Sequence, residues 1–547
     1  MPSRPTARKA GLLTALAATL FAAACGSDGG GGDDATGAQP HSGGSITYAS
    51  QKEPDCWDPH ASAQDVTAFT QRTIFDSLVY QKPDGSLEPW LASSWKVSAD
   101  GLTYTLELRK DVTFHDGAKF DAAAVKANFD HIVAKDTESQ FAAGLLGPYT
   151  GTKVTGPNEI QVSFSRPYAP FLQVASTTFL GIASPASLRV GEDKLCSGTA
   201  SVGSGPFRNG QYVRGQQRVY TRNAAYNWAP KGAAQSGPAR LDSVTIRFIK
   251  EDATRVGALN SGQVDGAAAL PPNAIAGVRA NPRLTAISKQ TPGAVDAYYL
   301  NTTGGVFTDV RVRRAFQRGL DIGTIVKSVY QGTTDRAWSV LSPTTPYSYD
   351  ASLENSWPYD PALAGRLLDE AGWTARDAQG YRTKDGRRLT VVSPVYGKPT
   401  LFSEAAQTEL KKIGFDFQQH ASTDATEVSG LLDDGKYDVV ETSWARPDGD
   451  ILSSFFLSTE TSKGGGHNFA HVADPQVDTW LKAAQAEQSP QQRAKQYAQV
   501  QKWVIDNAAA VPTFVSTATV GVNKKVHDLR LSIATWPEFY GAWVQAG

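Results

Sequence analysis

Cysteine is scarce in this chain of 547 residues, where Cys25, Cys56 and Cys196 are the only three. The sequence also has no long run of basic residues, and its formal net charge is −1. A protein that binds nucleic acid usually carries a basic patch, so we expect no nucleic-acid partner. Three cysteines leave room for one disulfide and one further cysteine.

Motifs of enzymes and of metal sites are missing as well. The sequence contains no H-E-x-x-H pattern, no Cys/His set, no P-loop and no G-x-S-x-G elbow. Ser93 and Lys96 match the S-x-x-K pattern of one hydrolase class, but its K-T-G and S-D-N partners do not occur. We therefore expect a binding protein without cofactor or metal, and a secreted hydrolase is the weaker alternative.

Long apolar runs are limited to the N-terminus. Arg4, Arg8 and Lys9 precede the uncharged segment Ala10–Ala24. About 15 apolar residues after a basic start are typical of a signal peptide and too few to span a bilayer comfortably. The sequence predicts a signal peptide over residues 1–24.

The residues around Cys25 resemble a lipobox, in which small residues precede the cysteine that becomes lipidated. Ala22 stands where Leu is usual, and an ordinary cleaved signal is the alternative. Gly26–Gly44 is rich in glycine and acidic residues, and it predicts a flexible tether over 25–44. We expect a membrane anchor through acyl chains on Cys25, with the folded part outside the cytoplasm.

The two remaining cysteines predict one disulfide, Cys56–Cys196, because an extracytoplasmic compartment is oxidising. In the chain-entropy estimate a loop of about 140 residues contributes roughly 4–5 kcal/mol of stability. Two buried free thiols are the alternative.

The chain is too long to fold around a single hydrophobic core, so its length predicts two or three domains. Strand-like and helix-like segments alternate along the chain, which predicts an α/β fold. The pattern predicts a first strand over 45–49, helices over 66–80 and 121–132, a hairpin turning at 99–101, and a long amphipathic run over 309–330. Asp360-Pro361 and Ser489-Pro490 are helix-start signals.

Several ordered motifs resemble one protein family. They are Phe75–Tyr80, Glu88–Trp95, Asp100–Tyr104, Arg109–Gly117, Gly203–Phe207, Tyr220–Asn223, Leu259–Gly266, Leu300–Thr302, Asp309–Ala315 and Tyr359–Trp373. In this order they are similar to the family 5 extracellular solute-binding proteins, the peptide, nickel and opine receptors of ABC importers. The resemblance covers roughly residues 45–547.

The resemblance implies a two-lobe clamshell whose first lobe is discontinuous and carries an inserted subdomain. The implied parts are 45–75, 201–293 and 511–547 for lobe I, 76–200 for the insert and 294–510 for lobe II. Closing such lobes over a solute produces the form that docks on the permease subunits. We expect a monomer that delivers an oligopeptide or a similar polar small molecule. Capture of a signalling peptide or a chaperone role would use the same cleft and stays open.

The segment Ser443–Asp450 holds most of the candidate ligand contacts. In the family this stretch borders the cleft, and peptide-binding members use an Asp shortly after the Trp to pair with an α-ammonium group. Here Pro447 stands near that position. We predict contacts from Trp444, Arg446, Asp448 and Asp450. An aromatic face beside opposite charges suits a zwitterion, a sugar or an acidic group. A surface turn is the alternative.

Two further aromatic residues are candidates for the site. Trp57 follows the first predicted strand, and either lines the cleft or packs around the Cys56 disulfide. Tyr298 lies near the expected crossing between the lobes. His467 and His471 are four residues apart, but Gly and Pro flank them, so a loop without metal is expected there.

Overall fold

The computed structural model describes residues 39–464 and 466–545. The predicted signal peptide, Cys25 and most of the predicted tether lie outside these residues. Within them, no helix has both the length and the apolar character needed to cross a bilayer.

The strands are β1 Ser45–Ser50, β2 Val79–Gln81, β3 Leu87–Pro89, β4 Ala92–Val97, β5 Thr103–Leu108, β6 Tyr149–Gly156, β7 Glu159–Phe164, β8 Phe207–Val213, β9 Gln217–Arg222, β10 Ser243–Phe248, β11 Gly266–Ala267, β12 Leu284–Gln290, β13 Gly293–Leu300, β14 Asp335–Arg336, β15 Ala375–Arg376, β16 Arg382–Lys384, β17 Arg387–Arg388, β18 Thr390–Tyr396, β19 Asp416–Ser422, β20 Val439–Ala445, β21 Ala510–Val515, β22 Thr517–Asn523, β23 Val526–His527, β24 Arg530–Leu531, β25 Pro537–Glu538 and β26 Trp543–Val544.

The helices are α1 Asp65–Gln71, α2 Ala122–Val133, α3 Ala142–Leu145, α4 Phe171–Val174, α5 Pro185–Leu188, α6 Glu192–Cys196, α7 Asp252–Ser261, α8 Pro272–Ala280, α9 Val310–Gly319, α10 Ile322–Tyr330, α11 Pro361–Glu370, α12 Leu401–Ile413, α13 Ala425–Asp433, α14 Ile451–Phe456, α15 Pro475–Ala486 and α16 Pro490–Asp506. Alternating strands and helices confirm the predicted α/β class.

A seven-stranded sheet has the order β12-β22-β11-β1-β10-β9-β8. Its central strand β1 pairs in parallel with β10, where Ile46 lies opposite Val244, and with β11. The apolar side chains of β1 and β10 alternate with polar ones, so one face of these strands packs into a core while the other face is more exposed to solvent. We call this the first sheet.

A second sheet has the order β14-β21-β13-β20. Strand β13 lies between β20 and β21, and nearly all of its residues are buried because helices cover both faces. A separate hydrophobic core on each side of the strand results.

A third sheet, β4-β5-β7-β6, belongs to the segment between β1 and β8 and packs against α2. The predicted hairpin at 99–101 is confirmed, because Gly101 takes the left-handed conformation (φ 71°) between β4 and β5. Asp121 caps α2 by accepting a hydrogen bond from the Ala124 amide, as its sequence position predicts.

The chain crosses between the first and second sheets at two adjacent places, once between β12 and β13 and once between β21 and β22. The crossings are bonded to each other, since the Thr291 amide donates to the Ser516 carbonyl over 2.8 Å. Strand β21 pairs with β13 and β14. The second crossing between the sheets therefore lies at Ser516, after the residue 510 at which the second lobe is expected to end, and the lobe boundaries themselves stay a prediction.

Two helix predictions also need correction. The helix expected over 66–80 ends at Gln71, because residues 79–81 pair with β3 as strand β2. The run 309–330 is two helices, α9 and α10. Asp321 separates them by accepting from the Thr324 amide, which starts a new helix rather than continuing the old one.

Cys56, in the loop after β1, is bonded to Cys196 at the end of α6, with 4.0 Å between their Cα atoms. This link ties the loop after β1 to a short helix of the segment that also carries the third sheet.

Candidate functional site

A cleft lies where the third-sheet segment, the end of β20 and the short strands β24 and β25 meet. A neighbouring cavity shares part of its lining, including Arg72, Trp90 and Glu538. Mostly apolar walls with a few charged groups are typical of small-molecule sites.

Aromatic rings form one wall of the cleft. Phe141 stacks on Trp444 with ring centroids 5.2 Å apart, and His467 meets this Trp edge-on at 4.3 Å. Phe141 also contacts Phe179, which contacts Trp536. The phenylalanines and Trp536 line the cleft. Trp444 is half-buried behind Phe141, so it supports this wall rather than forming the lining itself.

Arg446 lines the cleft from the end of β20 and is almost fully buried. Its Nη2 lies 3.4 Å from Asp448 Oδ2 and 3.3 Å from Asp450 Oδ2. Burial alone would lower the pKa of Arg446, but these carboxylates outweigh it and raise that pKa above its usual range. Burial raises the pKa of Asp450, against the attraction of Arg446. The guanidinium thus stays charged beside the solute space.

Arg72, just after α1, supplies a second cation. Its Nη1 donates to Ser77 Oγ over 2.9 Å, its Nη2 donates to the Ser176 carbonyl over 2.8 Å, and its guanidinium lies over the Trp90 ring at 5.2 Å. Burial lowers its pKa, although nearby acids oppose that shift. These contacts hold the side chain in one orientation against the cleft.

Glu538, on β25, places a carboxylate on the same cavity as Arg72. Burial raises its pKa, and the attraction of Arg72 and then of Lys289 counters part of that rise. Lys289 is itself oriented, because its ammonium donates to the Ser532 carbonyl over 2.7 Å. The cleft therefore presents both signs of charge beside aromatic faces.

The structure brings together only part of the predicted site. Arg446 lines the cleft and Trp444 backs its wall, whereas Asp448 and Asp450 are buried on the far side of Arg446. The Asp450 amide donates to Asp448 Oδ1, and Ser453 donates to Asp450 Oδ1. Neither aspartate belongs to the lining of this cleft, and both neutralise Arg446 instead, so their contact with a solute stays a prediction.

Tyr298 and Trp57 are likewise not at the cleft. Tyr298 is fully buried in β13, packs against Phe316 and donates to Ser403 Oγ over 3.1 Å. Trp57 is 1% exposed, its amide donates to the Cys196 carbonyl, and its ring covers the guanidinium of Arg218 at 4.8 Å. Tyr298 lies in a strand covered on both faces, and Trp57 takes the alternative of packing beside the disulfide, so a solute contact from either residue stays a prediction.

His467 and His471 lie outside helices and strands, as expected. The Nε2 atom of His471 is 2.9 Å from the Tyr437 hydroxyl. Burial lowers the pKa of His467 to about 4, so this ring is neutral beside Trp444 at physiological pH.

Sequence reasoning missed Arg72, Tyr80, Trp536 and Glu538, which all line the cleft. No local pattern marks these residues as partners, because they come from opposite ends of the chain. Tyr80 and Trp90 each stand inside one of the motifs that carried the resemblance, and those two motifs were the available signal.

The sequence profile described as "Bacterial extracellular solute-binding proteins, family 5 Middle" matches residues 86–466. The chain is 28% identical over 468 residues to the glutathione-binding protein GsiB of Salmonella paratyphi A, covering 84% of this chain and 86% of that protein. It is 28% identical over 390 residues to the nickel-binding periplasmic protein of Escherichia coli, covering 69% and 71%. Among solved structures, NikA from Brucella suis in complex with Fe(III)-EDTA matches with a TM-score of 0.79 and 25% identity, over 92% of this chain and 100% of that one.

Proposed function

Because the chain belongs to family 5 of the bacterial extracellular solute-binding proteins, we propose that its cleft captures an oligopeptide or a similar polar molecule for the permease of an ABC importer. As a family member the protein is an extracytoplasmic, non-enzymatic receptor for a small solute.

The observation that carries the peptide proposal is the pairing of opposite charges on one cavity. Arg72 and Arg446 suit a carboxylate, and Glu538 suits an ammonium group. Phe141 and Trp536 offer apolar faces to side chains between those groups. A relative named for binding glutathione, itself a tripeptide with both charges, agrees with this chemistry.

The segments around the first and second sheets would act as two lobes joined by the paired crossings at Thr291 and Ser516. Closure of such lobes is driven by the contacts that the solute makes only in the closed form. Acyl chains on Cys25 would hold this receptor at the outer face of the membrane. Mass spectrometry of the membrane fraction tests that anchor.

The test of the proposed function is thermal unfolding of residues 26–547, first stripped of bound ligand by unfolding and refolding, against a panel of ligands. The panel contains di- to pentapeptides, glutathione, opines, oligosaccharides and nickel chelates. A solute at 100 times its dissociation constant stabilises the fold by about 2.7 kcal/mol. A shift with peptides alone supports the proposal, and a shift only with another class contradicts the peptide assignment.

Glu538→Gln distinguishes ammonium recognition from general packing. For a bound peptide we expect affinity to fall by about tenfold or more, because a charged hydrogen bond of about 1.5–3 kcal/mol is weakened. Calorimetry with the free peptide and with its N-acetylated form measures the effect. Only the free peptide should lose affinity on substitution.

Glu404→Gln, on the exposed side of α12, is the matched control and should change neither affinity. Equal losses for the free and acetylated peptides would show that Glu538 does not contact the ammonium group.

A further inference from the structure

A cluster of four metal-ligating side chains lies outside the lining of the cleft. Asp58 and His60 are in the loop after β1, His131 is on α2, and Glu192 is the first residue of α6. The donor atoms of the first three lie within 4.8 Å of one another. Asp58 and His60 are almost fully buried, while the side chains of His131 and Glu192 are 14% and 24% exposed.

The distances within the cluster are those of a coordination shell. His131 Nε2 lies 2.8 Å from Asp58 Oδ2 and 3.9 Å from Glu192 Oε2, and His60 Nδ1 lies 3.8 Å from Asp58 Oδ1. A tetrahedral ion with bonds of about 2.0–2.1 Å places its ligand atoms about 3.3 Å apart. The observed separations lie on either side of that value.

The tautomer of His60 leaves a lone pair facing the cluster. Its Nε2 is 2.8 Å from the Gly181 carbonyl, which can only accept, so this nitrogen carries the hydrogen. In the neutral ring Nδ1 is then an acceptor, and this buried atom has no hydrogen-bond partner among the described residues. An unpartnered lone pair beside a carboxylate is unfavourable unless a cation lies between them.

His131 is oriented in the same way. The Thr137 hydroxyl donates to the His131 carbonyl over 2.5 Å, so its oxygen accepts from His131 Nδ1 at 3.2 Å. With the hydrogen on Nδ1, a neutral ring would turn an Nε2 lone pair toward Asp58 and Glu192 for a metal; without a metal, a protonated ring donates from Nε2 to Asp58 Oδ2 over the same 2.8 Å. A metal-binding histidine characteristically donates a hydrogen bond from its other ring nitrogen to an acceptor in this manner.

Glu192 lacks a donor for its carboxylate. Its Oε2 is buried without a hydrogen-bond partner among the described residues, and its Oε1 faces the Cys56 and Cys196 sulfur atoms, which carry no hydrogen in the disulfide. Two carboxylates and two imidazole rings therefore lie close together, with the donor atoms of Asp58, His60 and His131 all within 4.8 Å of one another and Glu192 reaching His131 at 3.9 Å.

We propose that Asp58, His60, His131 and Glu192 bind one divalent cation of the zinc class, at a site separate from the solute cleft. Two imidazoles and two carboxylates are donors that zinc accepts, whereas calcium and magnesium prefer oxygen alone. The partly exposed edges of His131 and Glu192 provide a path for entry. The bound ion links the loop after β1 to α2 and α6, and so fastens the third-sheet segment to the first sheet.

The experiment uses residues 26–547 purified after dialysis against EDTA and titrated with Zn²⁺ against a chromophoric chelator. Co²⁺ serves as a second probe, because its visible spectrum reports tetrahedral coordination. We expect one ion per chain and a higher unfolding temperature with Zn²⁺. His131→Gln and Glu192→Gln, which keep size and hydrogen bonding, should each weaken binding by about tenfold or more.

His420→Gln is the matched control, because His420 forms an exposed pair with Glu427 alone, over 2.8 Å. It should bind Zn²⁺ like the unchanged protein. Unfolding temperatures in EDTA check that each variant folds. The proposal is overturned if no saturable 1:1 binding occurs, or if His131→Gln and Glu192→Gln bind as tightly as His420→Gln; the cluster would then hold protons instead of a metal.

Discussion

Arg446 is held at the cleft by two carboxylates that do not themselves line it. The guanidinium, Asp448 and Asp450 are all nearly inaccessible to water. Removing one member of a buried ion pair leaves uncompensated charge, whereas exposed pairs contribute little. The energetic role of this residue therefore extends beyond any contact with the solute.

Arg446→Gln should lower the free energy of unfolding by about 3–5 kcal/mol, because Asp448 and Asp450 then face each other without a cation. Urea denaturation at neutral pH measures the change. Lys126→Ala removes an exposed ion pair with Asp130 on α2 and should cost less than about 1 kcal/mol. Equal losses for the two variants would show that the buried aspartates are not held by Arg446.

Sequence reasoning reached the residues of the cleft that are neighbours in the chain. Trp444 and Arg446 were found together because both belong to the stretch at the end of β20 that borders the cleft in the family, while Arg72 and Glu538 meet only through the fold. That Asp448 and Asp450 pair with Arg446 could not be predicted, because a sequence gives the order of charges and not which side of a loop is buried. The same limit hid the cluster around His131.

At the scale of elements, the sequence predicted the start of a helix correctly where a side chain accepts a hydrogen bond from the backbone of the helix that it caps. Asp360 and Ser489 each cap the helix that their proline predicts, by accepting from Leu363 and Gln492. The prediction of a helix over 66–80 was wrong because residues 79–81 pair with β3 instead. The spacing of apolar residues could not reveal this pairing between two segments.

The crossing between the sheets contains a carboxyl group with a shifted pKa. Asp296, on β13, accepts from the Ser516 hydroxyl, and burial raises its pKa to about 6 against the lowering by this bond. Between about pH 4 and pH 6 the folded state keeps a proton that the unfolded state has lost. This group therefore makes the fold less stable as pH rises through that window.

Asp296→Asn should remove that loss, so the variant gains stability relative to the unchanged protein as pH rises from about 4 to about 6, and the difference stays constant above it. Urea denaturation across this range measures it. Asp433→Asn, exposed on α13, is the control and should show no such trend. A difference that is flat with pH would mean that Asp296 titrates normally.

At the scale of the whole molecule, the family resemblance gave the fold correctly, whereas the lobe boundaries stay a prediction. The two-lobe expectation rested on motifs spread along the chain, and those motifs do not mark where β21 leaves one sheet for the other. Which strands pair across such long separations in the sequence is decided by the packing of the complete fold.

The Cys56–Cys196 bond joins residues 140 positions apart, and its removal tests how much this link contributes. Replacing both cysteines by serine should lower the free energy of unfolding by about 2–5 kcal/mol, because the unfolded chain regains freedom. Urea denaturation with and without reductant measures it. Reductant should destabilise the unchanged protein and leave the double variant unaffected; a loss in both would point to another cause.

The central place of β1 in the first sheet sets the order in which the molecule can assemble. Its partner β10 is 198 positions away at Ser45 and Ser243, and the sheet is completed only by β22. The third sheet, whose strands are close in sequence, can form long before. A nascent chain ending before residue 517 cannot close the first sheet. This delay keeps the first sheet incomplete until most of the chain has been made, and an incomplete sheet is easier for a secretion channel to thread.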